Sequence, residues 1–354
     1  MNQPARRNPV ASFFIGLWDV MNFTRRLILN LVFFGLLLLI LILFVVAMGK
    51  GASSGNALQD RTTLVIAPEG RLVEQFSADP VSRALSKAIG DNSAEEVQLR
   101  DLIRALDAAR TDKKIERVVL ELDKLQPSGF ASMREVAAAL QELRAAGKQV
   151  VAFSENMSQS QYLLAAQADE VYLDPMGGVV LEGLGRYRQY FRTGLQDKLG
   201  VDVHLFKVGE YKSAAEPYVL DAASPQAKEA DLFWMNDVWQ RYLGDIAKAR
   251  KLDAAQLAAG IDTMPEGIAA AGGDLAKFAL QQKLVDGLKT REEVEDLLTD
   301  RGVADEDADG GFRSVNLDAY LSALDSRRSP VDSRPQVAVI VAAGEIAGGD
   351  LPAG

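Results

Sequence analysis

The chain has 354 residues, 48% of them apolar and 25% charged, with a formal net charge of −10; this is ordinary globular composition with room for one large core or two smaller ones, and it excludes a disordered chain. Cysteine is absent, which excludes disulfides, thiolate metal sites and a cysteine nucleophile. Beyond residue 50 there are 34 basic and 48 acidic residues, a net of −14, so this part is suited neither to nucleic acid nor to lying flat on an anionic membrane.

Leu27 to Met48 holds 22 residues with only Asn30 among polar side chains. As a helix it reaches about 33 Å, enough to cross a hydrocarbon layer about 30 Å thick, and it reads as a transmembrane helix. The rival is a cleaved signal peptide, whose apolar region would be about 7 to 15 residues; the small residues of Gly49 to Gly55 keep that rival open. Arg6, Arg7, Arg25 and Arg26 precede the span against Asp19 alone. That bias places the N-terminus in the cytoplasm and the bulk outside it. Within residues 1–26, Phe13, Phe14, Leu17, Trp18 and Met21 recur at helical spacing, which fits a short helix in the membrane interface; an unordered tail is the other reading. Residues 49–61 are expected to be a polar linker.

Further on, strands and helices alternate. Strands are expected at Thr63–Ala67, Glu116–Leu122, Gln149–Phe153, Glu170–Leu173 and Val201–Val208. Helices are expected at Ser132–Ala146, with Met133, Val136, Leu140 and Leu143 on one face, at Ser158–Gln167, and at Arg186–Leu199. Strands separated by helices of 10 to 15 residues make stacked βα units with parallel pairing, so the class is α/β. Ser224-Pro225 supplies an N-cap and a first-turn proline for a long helix with Leu232, Met235, Trp239, Tyr242 and Ile246 at steps of three and four. Trp234 on another face leaves open packing against a second subunit beside packing in the core. Asp253–Asp300 reads as shorter helices split by Gly260, Gly272-Gly273 and Gly287.

Most candidate sites are weak. Asp305 to Gly310 opens like an EF-hand loop, but the twelfth position is Asn316 and the ninth Arg313, which favours a solvated acidic loop. Gly183-Leu184-Gly185 is followed by Arg188 where a dinucleotide loop needs its third glycine. His204, the only histidine, lies in the expected strand Val201–Val208 and supports neither a triad nor a histidine metal site. No cofactor or metal is expected. A chain of this kind can still perform acyl transfer with a serine activated by a neutral lysine. Lys212, in Val208-Gly209-Glu210-Tyr211-Lys212-Ser213-Ala214-Ala215-Glu216-Pro217, is the candidate base. Neutrality near pH 7 needs burial or nearby positive potential. Ser213 and Glu216 have capping-box spacing, which would put Lys212 just before a helix N-terminus; Pro217 makes a turn an equal alternative.

One internal likeness concerns organisation. Leu64-Val65-Ile66-Ala67-Pro68-Glu69-Gly70 and Ala338-Val339-Ile340-Val341-Ala342-Ala343-Gly344 share an apolar strand and a glycine in register. If it is more than chance, a second copy of the domain begins near Arg334.

The lysine segment, the following Ser224-Pro225 helix with Trp234 and Trp239, Glu155-Asn156-Met157-Ser158-Gln159-Ser160-Gln161-Tyr162 and Lys283-Leu284-Val285-Asp286 together resemble the long, tandem form of the signal peptide peptidase A family, also called protease IV. The resemblance implies a membrane anchor and two ClpP/crotonase-like α/β domains, with Lys212 as general base in the first and a serine nucleophile in the second. Residues 62–330 would be the first domain and 331–354 the first strand of an incomplete second. Where the family places serine three residues before a tyrosine, this chain has Gln159; Ser158 and Ser160 flank it. The family's oxyanion glycines are represented by the degenerate Gln126-Pro127-Ser128-Gly129. No nucleophile is therefore expected in this chain, and alone it is expected to be inactive. The resemblance further implies signal-peptide remnants as substrates, a single-pass protein of the bacterial inner membrane with its bulk in the periplasm, and a bowl-shaped homotetramer. The alternative from another class is a non-catalytic anchored scaffold that binds partner subunits through the helix beginning at Pro225.

Overall fold

The computed structural model describes residues 9–52, 58–88, 95–308, 310–327 and 337. The chain divides into two units, Met1–Ala57 and Leu58–Gly354. In the first, α1 (Pro9–Ala52) is one continuous helix. Its stretch Phe13–Ile42 is long and apolar enough to cross a membrane. The expected division between an interfacial helix and a span at Leu27 is absent, and the helix continues through Gly49–Ala52, where a linker was expected. No proline follows Pro9 within it, so nothing removes a backbone donor and forces a break.

The second unit runs β1 (Thr62–Ile66), β2 (Arg71–Val73), α2 (Pro80–Ala88), β3 (Glu96–Gln98), α3 (Leu99–Thr111), β4 (Ile115–Glu121), α4 (Phe130–Ala145), β5 (Gln149–Ser154), β6 (Met157–Ser158), α5 (Gln159–Ala165), β7 (Glu170–Leu173) and β8 (Val179–Val180). After an irregular stretch holding a π-helical turn at Thr193–Lys198 come α6 (Glu216–Val219), α7 (Pro225–Arg250), α8 (Ala254–Asp262), α9 (Met264–Ala270), α10 (Leu275–Gln281), β9 (Gly287–Leu288), α11 (Arg291–Arg301), β10 (Ser314–Asn316) and α12 (Leu317–Ser326). Six strands form a sheet in the order β10-β1-β4-β5-β7-β9, and every pair is parallel. The α/β reading therefore holds. Two short parallel pairs, β2 with β3 and β6 with β8, stand beside it.

The core explains why the central strands read as unbroken apolar runs. Val118 and Leu120, Val150 and Ala152, and Val171 and Leu173 pack with Leu102, Leu106, Leu140 and Leu143 of α3 and α4 on one face. The alternate residues Val119, Val151, Phe153 and Tyr172 pack with Val294 and Leu298 of α11 and with Phe312 on the other. A parallel sheet covered on both faces needs apolar side chains at both phases of the period-two alternation.

Several expectations are corrected. Val201–Val208 is no strand, and Arg186–Leu199 keeps only the π-helical turn. Tyr187, Phe206 and Val208 are exposed; without a neighbouring strand or core to bury them, their apolar pattern has nothing to organise it. Gly260 lies inside α8 and Gly287 inside β9, whereas Gly272 and Gly273, both at positive φ, do end α9. The proposed repeat strand at 338–347 lies outside the described residues.

Candidate functional site

The loops at the carboxyl ends of the parallel strands are where ligands of such sheets gather. There, Asp123 Oδ1 accepts the Ser154 hydroxyl at 2.8 Å and the Glu155 N–H at 2.7 Å. Its other oxygen faces Arg291 at 3.1 Å, and Glu121 takes the same guanidinium at 3.0 Å. This joins the exits of β4 and β5 to the first residue of α11.

The helix carrying the expected nucleophile position starts at this edge. Ser158 is the N-cap of α5, its hydroxyl accepting the Gln161 N–H at 3.5 Å while Gln161 Oε1 accepts the Ser158 N–H at 2.7 Å. The buried Gln161 amide also donates to Leu122 O at 2.7 Å and Leu125 O at 3.0 Å. Gln159 is therefore held on an anchored helix. Its side-chain Oε1 accepts the Gly183 N–H at 3.0 Å and its Nε2 donates to Gly183 O at 3.1 Å. Its backbone carbonyl accepts the Tyr242 hydroxyl of α7 at 2.9 Å. Gly183 has φ +80°, a backbone conformation that glycine adopts without strain. The position where the resemblance led us to expect a nucleophile thus holds an amide that pairs like a short piece of strand.

Among the described residues no base is hydrogen-bonded to either neighbouring serine. Ser158 is used as a cap, and among the described residues no hydrogen bond joins a serine hydroxyl to a lysine amine or to His204. Part of the expected oxyanion segment is taken up internally. The Gln126 N–H donates to Gly70 O at 2.8 Å, Pro127 has no N–H, and Ser128 Oγ accepts the Leu72 N–H at 2.8 Å.

Lys212 lies elsewhere, on a turn after Gly209, its N–H reaching Gly209 O at 3.4 Å. It is exposed, and no hydrogen bond or ion pair to its amine is found among the described residues. The expected capping box from Ser213 to Glu216 is not formed; the N-cap of α6 is Ala215, without a side-chain bond. Pro217 falls in the first turn of that helix, where a missing N–H costs nothing. Glu216 instead reaches forward to Ser224, accepting its hydroxyl at 2.6 Å and its N–H at 3.2 Å. Burial alone would raise the Glu216 pKa, but the Ser224 bonds, with Lys207 and Arg188 nearby, hold it below the usual carboxylate value. Ser224 also accepts the Ala227 N–H at 3.1 Å, so the expected N-cap of the long helix is present. The sequence reading missed the Glu216–Ser224 pair, because spacing shows only that the two can meet and burial decides that they do.

The Lys283-Leu284-Val285-Asp286 segment acts in the fold. Asp286 takes the Val171 N–H at 2.8 Å and a bidentate Arg250 at 2.8 and 2.9 Å, while the buried Tyr162 hydroxyl donates to Leu284 O at 2.7 Å. Among the described residues no cluster of His, Asp and Glu could hold a metal ion. His204 is exposed and outside any strand. The N–H and carbonyl of Gly183 are both paired with Gln159.

A model of peptidase family S49 matches residues 142–303, from the end of α4 to just past α11. Protease 4 of Salmonella typhi is 36% identical over 344 residues, which are 96% of this chain and 54% of that protein. Protease 4 of Haemophilus influenzae is 30% identical over 336 residues, 94% of this chain and 54% of that protein. The chain thus spans about half the length of the curated relatives it matches. Among solved structures, a mutant of the membrane-bound stomatin-specific protease 1510-N is similar at a TM-score of 0.36 and 12% identity, covering 68% of this chain and 85% of that one. The S49 match lies over the helix of Gln159 and the segment of Lys212, and the alignments to the two Protease 4 sequences take in nearly all of this chain, which supports a place in the signal peptide peptidase A, or protease IV, family of S49 peptidases.

Proposed function

We propose that this chain is the base-bearing part of a membrane-anchored serine peptidase that degrades signal-peptide remnants, with Lys212 as general base and the serine supplied by residues outside it. The observation that carries this reading is the pairing of Gln159 with Gly183. The nucleophile position of this domain holds a group that cannot attack a carbonyl, while the lysine segment is intact. In the reaction, uncharged Nζ of Lys212 takes the serine proton as Oγ attacks the peptide carbonyl, and then returns it to the departing amine. Because Lys212 faces solvent here, the body that brings the serine also has to cover the lysine. The roughly half-length match to its relatives leaves room for such a body.

The anchor in this reading is α1, which has one apolar stretch of spanning length, with its basic flank in the cytoplasm of a bacterial cell and the second unit in the periplasm. Tyr187, Phe206, Val208 and Phe233 are each 85% or more exposed. Large apolar side chains left in water mark a surface that another body covers, which supports a homo-oligomer, a tetramer by family resemblance. The same surface favours the second reading, a scaffold subunit without catalysis. Labelling with a fluorophosphonate probe separates the two: the peptidase reading expects modification of a longer gene product containing the serine and none of this 354-residue chain. Modification of this chain itself would contradict both the scaffold and the assignment of Gln159. A longer product that stays unlabelled and inactive would contradict the peptidase.

A further inference from the structure

Between Lys207 and Glu216 the chain leaves one place and returns to it. Lys207 Nζ lies 4.0 Å from Glu216 Oε1, so these residues form a loop closed at its base, with Lys212 near its middle. The Glu216 side chain is only 1% exposed. Both its oxygens are engaged by Ser224, Oε1 by the hydroxyl at 2.6 Å and Oε2 by the N–H at 3.2 Å. Ser224 is the N-cap of α7, a helix of 26 residues that buries Tyr242, Leu243 and Ile246 in the core. A carboxylate removed from water in this way is stable only with its partners in place, so the loop and the start of α7 are fixed to one another.

Two further ties are more exposed. The Tyr211 hydroxyl donates to Glu229 Oε2 of α7 at 3.2 Å, and Arg188 Nη1 donates to Ser213 O at 2.9 Å. Solvent weakens such contacts. Among the described residues nothing bonds to the amine of Lys212, so its position is inherited from the loop. We propose that Glu216 is a positioning residue: its buried carboxylate staples the Lys212 loop to the N-terminus of α7 and thereby sets where the lysine amine stands. This rests on the reading of Lys212 as the base.

The test uses the full-length peptidase, a fluorogenic peptide amide, and rates normalised to folded protein. Misplacing a reacting group by about 1 Å costs up to about 10²-fold in rate. Glu216→Ala is therefore expected to lower kcat by about 30- to 100-fold with KM changed less than about threefold, and Glu216→Gln, which keeps an oxygen for Ser224, to recover most of the loss. In the 354-residue chain, tryptic cleavage after Lys212 is expected to be at least about tenfold faster in Glu216→Ala at a temperature where circular dichroism shows both proteins folded. If that variant does not fold, Ser224→Ala, which removes the 2.6 Å bond and keeps the N–H, carries both measurements with the same expected direction. Should Lys212→Ala abolish activity while Glu216→Ala or Ser224→Ala holds kcat within twofold, the staple is wrong and the base stands. Should Lys212→Ala stay active, the base reading falls and the staple with it.

Discussion

The side-chain amide of Gln159 is hydrogen-bonded to both backbone groups of Gly183, accepting its N–H at 3.0 Å and donating to its carbonyl at 3.1 Å. Gln159 thereby acts as a clasp between α5 and the segment that follows β8. Removing the amide in Gln159→Ala should cost about 1 to 2 kcal/mol. Amide hydrogen exchange should locate the change, with faster exchange at Gly183 and little change in β4 and β5. Gln159→Ser should lose the clasp equally and remain unlabelled by a fluorophosphonate, since among the described residues no lysine or histidine is bonded to the groups around it.

The buried hydroxyl of Tyr162 donates to Leu284 O at 2.7 Å, tying α5 to the residues before β9. Tyr162→Phe leaves that carbonyl without its donor in the core. Urea unfolding should show a loss of about 1 to 3 kcal/mol with an unchanged m-value.

Glu216 makes stability depend on acid. Its folded-state pKa lies below the 4.5 of an unperturbed carboxyl, so the unfolded chain binds the proton more readily than the fold does. The stabilisation is full above about pH 4.5 and is lost as pH falls through the lower folded-state value. Denaturation midpoints measured from about pH 6 down to about pH 3 should therefore fall more steeply for the native chain than for Glu216→Gln.

Membrane attachment should reside in the first unit. In flotation with phospholipid vesicles, the whole chain should rise with the lipid. A chain beginning at Leu58, the start of the second unit, should stay in the dense fraction, because its net charge is acidic and it lacks the apolar helix. Co-flotation of the shorter chain would assign attachment to the exposed apolar side chains instead.

The legible part of the fold was the part whose pattern is self-contained. Val118 to Leu120 and Val150 to Phe153 are buried on both faces, and this shows in sequence as unbroken apolar runs. Ser224 and Pro225 mark the start of α7 by local hydrogen bonding and a missing N–H. By contrast, Gly287–Leu288 and Ser314–Asn316 are strands of two and three residues, too short for any period, and they exist because neighbouring strands supply partners. Arg186 to Val208 misled because Tyr187 and Phe206 follow apolar spacing without burial in this chain. At the site, counting back from Tyr162 reached Gln159, yet its bonds to Gly183 are 24 residues distant in sequence, beyond what local spacing reveals. The Ser213–Glu216 spacing suggested a local cap, while the structure gives Glu216 to Ser224, since only there do the hydroxyl and the N–H both meet the carboxylate.

The central claim is that this chain lends its lysine to a serine held elsewhere. The most direct measurement is single-turnover hydrolysis of a fluorogenic peptide by the full-length protein, comparing native Lys212 with Lys212→Ala at equal folded concentration. The account predicts a loss of at least about 10²-fold, the scale of general-base catalysis, with substrate binding retained. A rate within a few-fold of the native protein would contradict it.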